Sequence, residues 1–317
     1  MLVEEVLMRL EKMMTAHKKK VGLLILEKFK KSYDAFLMLP RKYTLESDVS
    51  DFVNKMIENE KAVVLIDKEI IGFIDISYEG EMFYNKQGVY TTEWGNFFPE
   101  NNLKGCLLLL NYIYDYMDDH KLLDHTISVM ENEKELIEKL FNMSYGSRCM
   151  DAHALIEHQS YKKEMVIREA TIDDIDDLKE LLVTLHRHMQ LPPTLIGMSY
   201  SDEEPIIKKW LKDDTSKLWV MCDDSKVIGM IKTVNGASGG CVCSADEETL
   251  GIKDTVILSE EQGKGLGKYF IDHLHDYGYK NGFKYLAVDY ETMNPTAQYF
   301  WPKHLTPTVR SLIRSIG

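Results

Sequence analysis

Residues 62–77, AVVLIDKEIIGFIDIS, and residues 218–234, LWVMCDDSKVIGMIKTV, follow one plan: an apolar strand, a short polar turn (DKE or DDSK), and a second strand carrying Ile-Gly. Gly72 and Gly229 lie 157 residues apart. A β-hairpin recurring at that distance means the same domain-sized unit is built twice. The halves then stay in step. In the first, YTTEW leads to PENNLKGCLLLLNYIYDYM and the strand-like HTISV. In the second, IKDTVILS leads to EEQGKGLGKYFIDHLHDYG and YLAVDY. Both read strand, turn, helix, strand. The second helix aligns Leu266, Phe270, Ile271, Leu274 and Tyr277 on one face, and Leu286 and Val288 alternate along the strand after it. The polar stretch EHQSYKKEM, 157–165, sets a boundary between a domain at 1–160 and another at 166–317. The second opens with Thr171 capping a helix whose first turn holds Asp173 and Asp174 and whose apolar face is Leu178, Leu181, Leu182 and Leu185. The fold class is therefore α/β (α+β), with two tandem domains, each a mixed, largely antiparallel sheet with helices on both faces.

Composition removes several function classes. A net charge of −13 is wrong for a nucleic-acid partner held through its phosphates. Five cysteines are an odd number in a long chain, so no disulfide framework is expected. Cys241 and Cys243 form a C-x-C pair with no second pair at metal spacing, and no metal is expected. His186 and His188, like His273 and His275, are two apart on helices and do not share a face. Glu4 and Glu5 sit where a signal peptide needs positive charge. The longest apolar run, CLLLLNYIYDYM, is too short to span a bilayer. A cytoplasmic protein without membrane contact is expected. Val3, Val6, Leu7, Leu10, Met13 and Met14 recur at helical spacing and predict an N-terminal core helix.

The glycines at 263, 265 and 267 carry the chemistry. They lie between a strand ending at Leu258 and a helix, where unpaired N–H groups and the helix dipole favour a phosphate or pyrophosphate. A Walker A loop is absent, and G-x-G-x-G late in a domain is not the dinucleotide fingerprint. The run Gln262-Gly263-Lys264-Gly265-Leu266-Gly267 instead resembles the Q-x-x-G-x-G motif of the GNAT superfamily, the acetyl-CoA-dependent N-acetyltransferases. Asn294, Ala297 and Phe300 match that superfamily's N-x-x-A-x-x-F pattern, and TVRSLIRSI resembles its closing strand. The resemblance spans about 166–317, and the first half shares only the layout, as a degenerate copy.

The resemblance implies acyl-CoA N-acyltransferase-like domains, acetyl-CoA as cosubstrate, and a small-molecule primary amine as acceptor. Backbone N–H groups of Gly263, Lys264, Gly265, Leu266, Gly267 and Lys268 would hold the pyrophosphate, Gly265 and Gly267 leaving room for it. The strand Val256, Ile257, Leu258 would pair with the pantetheine arm, an amide near Val256 would polarise the thioester carbonyl, and the helix of Asn294, Ala297 and Phe300 would lie along the arm. Asp254, two residues before Val256 on the same face, is the first candidate base; Glu247 and Glu248 are second. Trp301 stands where the superfamily commonly has Tyr, which leaves Tyr299 as the nearby phenol, or no acid at all. The turn at KHLTP also lacks the family's Gly-Phe. In the first half Asn101, Lys104 and Cys106 align with Gln262, Gly265 and Gly267, so no second CoA is expected there. That half could instead wall the substrate cleft, with Trp94, Phe97 and Phe98, or form a homodimer. A CoA-binding regulatory protein without catalysis and a protein N-acetyltransferase are the alternatives.

Overall fold

The structure is a computed structural model that describes residues 8–82, 86–158, 165–197, 203–224, 226–236 and 241–316. In chain order the elements are β1 (Arg9–Lys12), α1 (Lys18–Ala35), α2 (Glu46–Glu58), β2 (Ala62–Asp67), β3 (Glu69–Asp75), β4 (Tyr78–Glu81), β5 (Gln87–Thr91), β6 (Asn96–Phe97), α3 (Leu103–His120), β7 (Asp124–Met130) and α4 (Lys134–Asn142). There follow β8 (Gly146–Leu155), β9 (Val166–Glu169), α5 (Ile175–Gln190), α6 (Glu203–Trp210), β10 (Ser216–Asp223), β11 (Lys226–Asn235), β12 (Thr249–Ile257), α7 (Gly267–Lys280), β13 (Tyr285–Glu291), α8 (Pro295–Phe300) and β14 (Thr306–Ser315). The expected mixed α/β class is what is seen. Among the described residues no helix is long and apolar enough to cross a membrane.

The chain forms two compact units, and they are not its two sequence halves. Unit 1 comprises 1–37, 41–148 and 308–317; unit 2 comprises 38–40 and 149–307. The last strand, β14, thus pairs antiparallel with β7 in unit 1. Most of β8, encoded before the polar stretch at 157–165, pairs with β13 in unit 2. Each half gives its closing strand to the other unit. Periodicity cannot reveal this, because an exchanged strand and a retained one carry the same alternation.

Unit 2 has one sheet in the order β8-β13-β12-β11-β10-β9, antiparallel except for the parallel pair β12–β13. The hairpin β10–β11 turns at Asp224, in a left-handed conformation with φ 50°. Trp219, Ile231 and Gly229 face α7: Trp219 meets the rings of His273 and Tyr277 edge-on, and Gly229 lies under Phe270. By alternation Met230 and Lys232 face α6, where the Lys232 ammonium lies over Trp210. Leu178, Leu181 and Leu182 of α5 and Phe270, Ile271 and Leu274 of α7 are all buried in the unit's core. Thr171 and Asp174 form a capping box that starts a short 3-10 turn ahead of α5, as the acidic first turn predicts.

Unit 1 contains the four-stranded sheet β1-β2-β3-β6 and the run of paired strands β4-β5-β7-β14. Its hairpin β2–β3 turns at Lys68 with φ 62°, the same left-handed geometry as in unit 2. Its core is separate, built on Leu65, Ile74, Leu109, Ile113, Ile127 and Leu312. The N-terminal helix is a correction. Val3, Val6 and Leu7 lie outside the described residues, but Leu10 belongs to strand β1, opposite Leu65, and the first helix begins only at Lys18. A long-range strand pair overrides the helical spacing. Trp94 and Phe98 are both buried, and Trp94 stacks on Phe52 at 4.5 Å between centroids.

Candidate functional site

In unit 2, β12 and β13 pair only from Thr249↔Tyr285 to Ile252↔Val288. Beyond that point β12 runs on to Ile257 paired to β11 alone. A one-sided cleft therefore opens between the two strands. Lys253 Nζ and Asp289 Oδ1, 2.8 Å apart, bridge its base. A β-bulge marks the same place: Ile231 opposes Thr255 and Thr233 opposes Ile252, so Lys232 alone faces Lys253 and Asp254. A bulge re-aims side chains and interrupts the ladder, and bulges cluster at active sites.

The ladder beyond the bulge fixes which amides face the cleft. Leu258 N–H donates to Ile228 O at 2.9 Å. Antiparallel alternation then pairs Val256 with Met230 and turns the backbone groups of Thr255 and Ile257 outward. The Gln262 side-chain amide donates to Ile257 O at 2.8 Å, from the outer side. The outward-facing amides nearest Val256 are those of Thr255 and Ile257. Val256 is a buried core residue, as is Leu258.

After Leu258 a 3-10 turn, Ser259–Glu261, leads to the glycines. Gly263 and Gly265 have φ of 78° and 79°. This left-handed conformation explains why glycine stands there. Among the described residues, no protein acceptor takes the backbone N–H of Gly263, Lys264, Gly265, Leu266 or Gly267, and α7 has no side-chain cap. Five N–H groups without a protein acceptor, at the positive end of a helix, offer a cradle for an anion. Lys264 and Lys268 flank it; Lys264 pairs with Glu261 at the surface, where such a pair is weak enough to rearrange, and Lys268 pairs with the buried Asp272. Gly267 has another task than the one expected. A Cβ there would lie 2.7 Å from the Phe300 ring, so this glycine lets α8 close on α7. Asn294 caps α8, its Oδ1 accepting from Thr296 N and Ala297 N at 3.1 and 3.2 Å, with His188 Nε2 at 3.2 Å. Ala297 and Trp301 are buried, and Trp301 packs edge-on against Phe300. The indole is a packing residue.

The candidate catalytic residues separate. Asp254 is half-buried on the bulge, on the α5–α6 face. The buried His186 of α5 lies close enough to feel its charge and has Glu203 Oε1 of α6 at 3.9 Å from Nδ1. Burial holds the His186 imidazole below its ordinary value, with Glu203 and Asp254 pulling the other way. Burial thus favours its neutral form. Sequence spacing gave no sign of this, since its partners are tertiary. His186 and His188 do point to different partners, as i, i+2 positions must. Glu247 is exposed before the start of β12, about 20 Å from the bulge by strand rise. Glu248 pairs with Lys284 at 2.6 Å. Tyr299 is 73% exposed with the Lys303 ammonium over its ring. Of these, Glu247 stands well away from the bulge.

Unit 1 shortens and caps the corresponding turn. Nine residues, 258–266, join β12 to α7, whereas only 98–102 separate β6 from α3. The helix begins earlier, and Asn102 Oδ1 caps it by accepting Gly105 N–H at 2.9 Å. Pro99, which has no N–H, packs on the same turn: a Cβ on Gly105 would lie 2.9 Å from its ring. Lys104 is exposed and Cys106 is buried in the core, so the expected crowding by these side chains is replaced by a shortened, capped turn. Elsewhere in unit 1 the rings of Phe29, Tyr43, Phe52 and Trp94 form a chain of contacts, tilted at the first two and stacked at Phe52–Trp94.

No curated protein sequence matches the chain significantly. By fold it is similar to a GCN5-related N-acetyltransferase from Sphaerobacter thermophilus, with a TM-score of 0.57 and 13% identity over 97% of this chain and 95% of that one. It is also similar to a GCN5-related glucosamine N-acetyltransferase region of a fungal multi-domain β-N-acetylglucosaminidase, with a TM-score of 0.55 and 10% identity over 98% of this chain and 38% of that one. Residues 182–305, which contain the bulge, the glycine turn and α8, match the model of the acetyltransferase (GNAT) family.

Proposed function

We propose that unit 2 is an acetyl-CoA-dependent N-acetyltransferase acting on a primary amine of a small molecule. The observation that carries this reading is the set of five partnerless N–H groups at 263–267, at the mouth of the β12–β13 cleft. The turn would hold the pyrophosphate, and the outward backbone of Thr255 and Ile257 would pair with the pantetheine amides as an added strand does. Acetyl-CoA supplies an activated acetyl group as a thioester. Asp254, with the neutral His186 beside it, would take the proton that the amine loses on attack. A thiolate leaves readily, so no phenol is required where Trp301 stands.

The test is calorimetric titration with CoA, alongside thiol release from acetyl-CoA with an amine panel. Gly265→Glu puts a carboxylate in the cradle and forces a side chain into a left-handed position, and it should abolish binding. Unchanged CoA affinity in that variant would refute the assignment. Binding without amine-dependent thiol release would instead favour a CoA-binding regulatory protein.

A further inference from the structure

The structure assigns an anion-recognition role to Lys232: we infer that the acceptor is a short zwitterion, a primary amine carrying a carboxylate or another anionic group, whose anion is held by Lys232 beside Trp210. The inference rests on the reading of unit 2 as an acetyltransferase and goes further by naming what its acceptor must carry.

Lys232 is the one residue of β11 that faces the bulge. Its ammonium lies 4.5 Å from the centroid of the Trp210 ring. The residue is half-buried, yet among the described residues no carboxylate forms an ion pair or hydrogen bond with it. The neighbouring lysines are spent otherwise: Lys253 on Asp289, Lys208 on Glu204, Lys217 on Glu169. The charged groups around Lys232 are Asp254, Asp213, Lys253 and Lys209. Asp213 is occupied by Thr215 and Ser216, and Lys253 is neutralised by Asp289. Asp254 and Asp213 act on Lys232 through their charge, yet neither forms an ion pair with it. Burial holds the Lys232 ammonium below its ordinary value despite the pull of Asp254 and Asp213. A partly desolvated cation that has an aromatic face but no paired carboxylate is incompletely compensated. An anion delivered by the ligand would complete that compensation.

The opposite end of the site has the opposite character. Asp254, Glu203 and His186 can receive an ammonium and its proton. Directly opposed strand residues have Cβ atoms about 5 Å apart, so the Lys232 and Asp254 side chains emerge side by side. A ligand bridging them has its amine and its anion separated by a few bonds. The indole supplies an apolar wall for the carbon between them.

The experiment uses the full chain, with β-alanine, taurine, phosphoethanolamine and the α-amino acids as acceptors, against propylamine and ethanolamine, which lack the anion. Acetylation should be confined to acceptors that carry both charges, and the preferred anion separates carboxylate from sulfonate and phosphate. Lys232→Met should raise KM for the best acceptor about ten- to a hundred-fold, the loss of one charge-assisted hydrogen bond, with kcat nearly unchanged. Lys232→Arg should recover most of the affinity. Equal use of propylamine, no acetylation of any anionic acceptor, or an equal fall in kcat for all acceptors in a Lys232→Met variant that melts like the parent would overturn the inference. Failure of the underlying acetyltransferase reading shows separately, as loss of calorimetric CoA binding to the parent protein.

Discussion

Gly265 and Gly267 are two residues apart and are glycines for unrelated reasons. Gly265 has a backbone that disfavours side chains and empty space around its missing Cβ; Gly267 has an ordinary backbone and an aromatic ring in that space. Only the first bears on a ligand directly. Asp254 can be tested by its own chemistry. Asp254→Asn keeps the shape and removes the base, so turnover should fall about 10²-fold, and the acidic limb of the pH–rate profile should change. An unaltered profile would exclude it and leave His186 as the proton acceptor. Unit 1 offers a contrast at the residue level. Asp75 stands three residues after Gly72, as Lys232 does after Gly229, and it is fully buried. Burial pushes its carboxyl up to about 6, with the Ser77 hydroxyl and Lys61 opposing. Its folded pKa is therefore raised above the unfolded value. Between about pH 4 and 6 the folded protein keeps a proton that the unfolded chain releases, so this group lowers stability as pH rises and costs about 3 kcal/mol above pH 6. Asp75→Asn should raise Tm at pH 7 and change it little at pH 4. His125, held at about 3 by burial with Arg314 adding to it, acts in the opposite sense and loses stability as pH falls from 6.5. A variant whose Tm gain is the same at both pH values would show that Asp75 does not titrate in this way.

The two helices that follow the repeated hairpins show how one element gains or loses a site. In α7 the chain spends nine residues reaching the helix and leaves the donors open; in α3 it starts the helix at once and closes them with Asn102 and Pro99. CoA titration should accordingly saturate near one equivalent per chain. A second equivalent that survives Gly265→Glu would mean that α3 opens its cap. The helices, the hairpins and the glycine turn were legible in the sequence because each is a local pattern: apolar period, turn chemistry, positive φ. The shortened turn of unit 1 was only half legible. Column alignment put Lys104 and Cys106 on the glycines, whereas those residues are already helical. Strand β1 was misread because its reason to be a strand is Leu65, far along the chain. The bulge and His186 left no local trace. One is a register shift between β11 and β12, and the other acquires its meaning only beside Glu203 and Asp254.

At the scale of the whole molecule, the exchange of closing strands makes the covalent order and the folded order disagree. Residues 166–317 look like a complete domain in sequence, yet they lack β8 and carry β14, which pairs in unit 1. Losing β8 would strip the β13 edge of its antiparallel partner along Tyr285–Glu291 and remove the buried Met150 and Ala152. A buried Met alone contributes about 1.5–3 kcal/mol, and the exposed ladder adds to the loss. That is a large part of the 5–15 kcal/mol by which a domain is stable, and a bare central strand invites aggregation. Residues 149–307 lack β14 but keep every strand of the unit 2 sheet. The expectation is therefore a pair of opposite results. The 149–307 fragment should melt cooperatively and gain Tm with CoA, while the 166–317 fragment should be aggregated or fail to melt cooperatively. Mixing 166–317 with 1–158 during refolding should restore the CoA-dependent Tm, because the second fragment returns β8 and accepts β14. If 166–317 alone folds and binds CoA as tightly as the full chain, the exchanged strand is dispensable, and the sequence halves, not the compact units, are the folding domains.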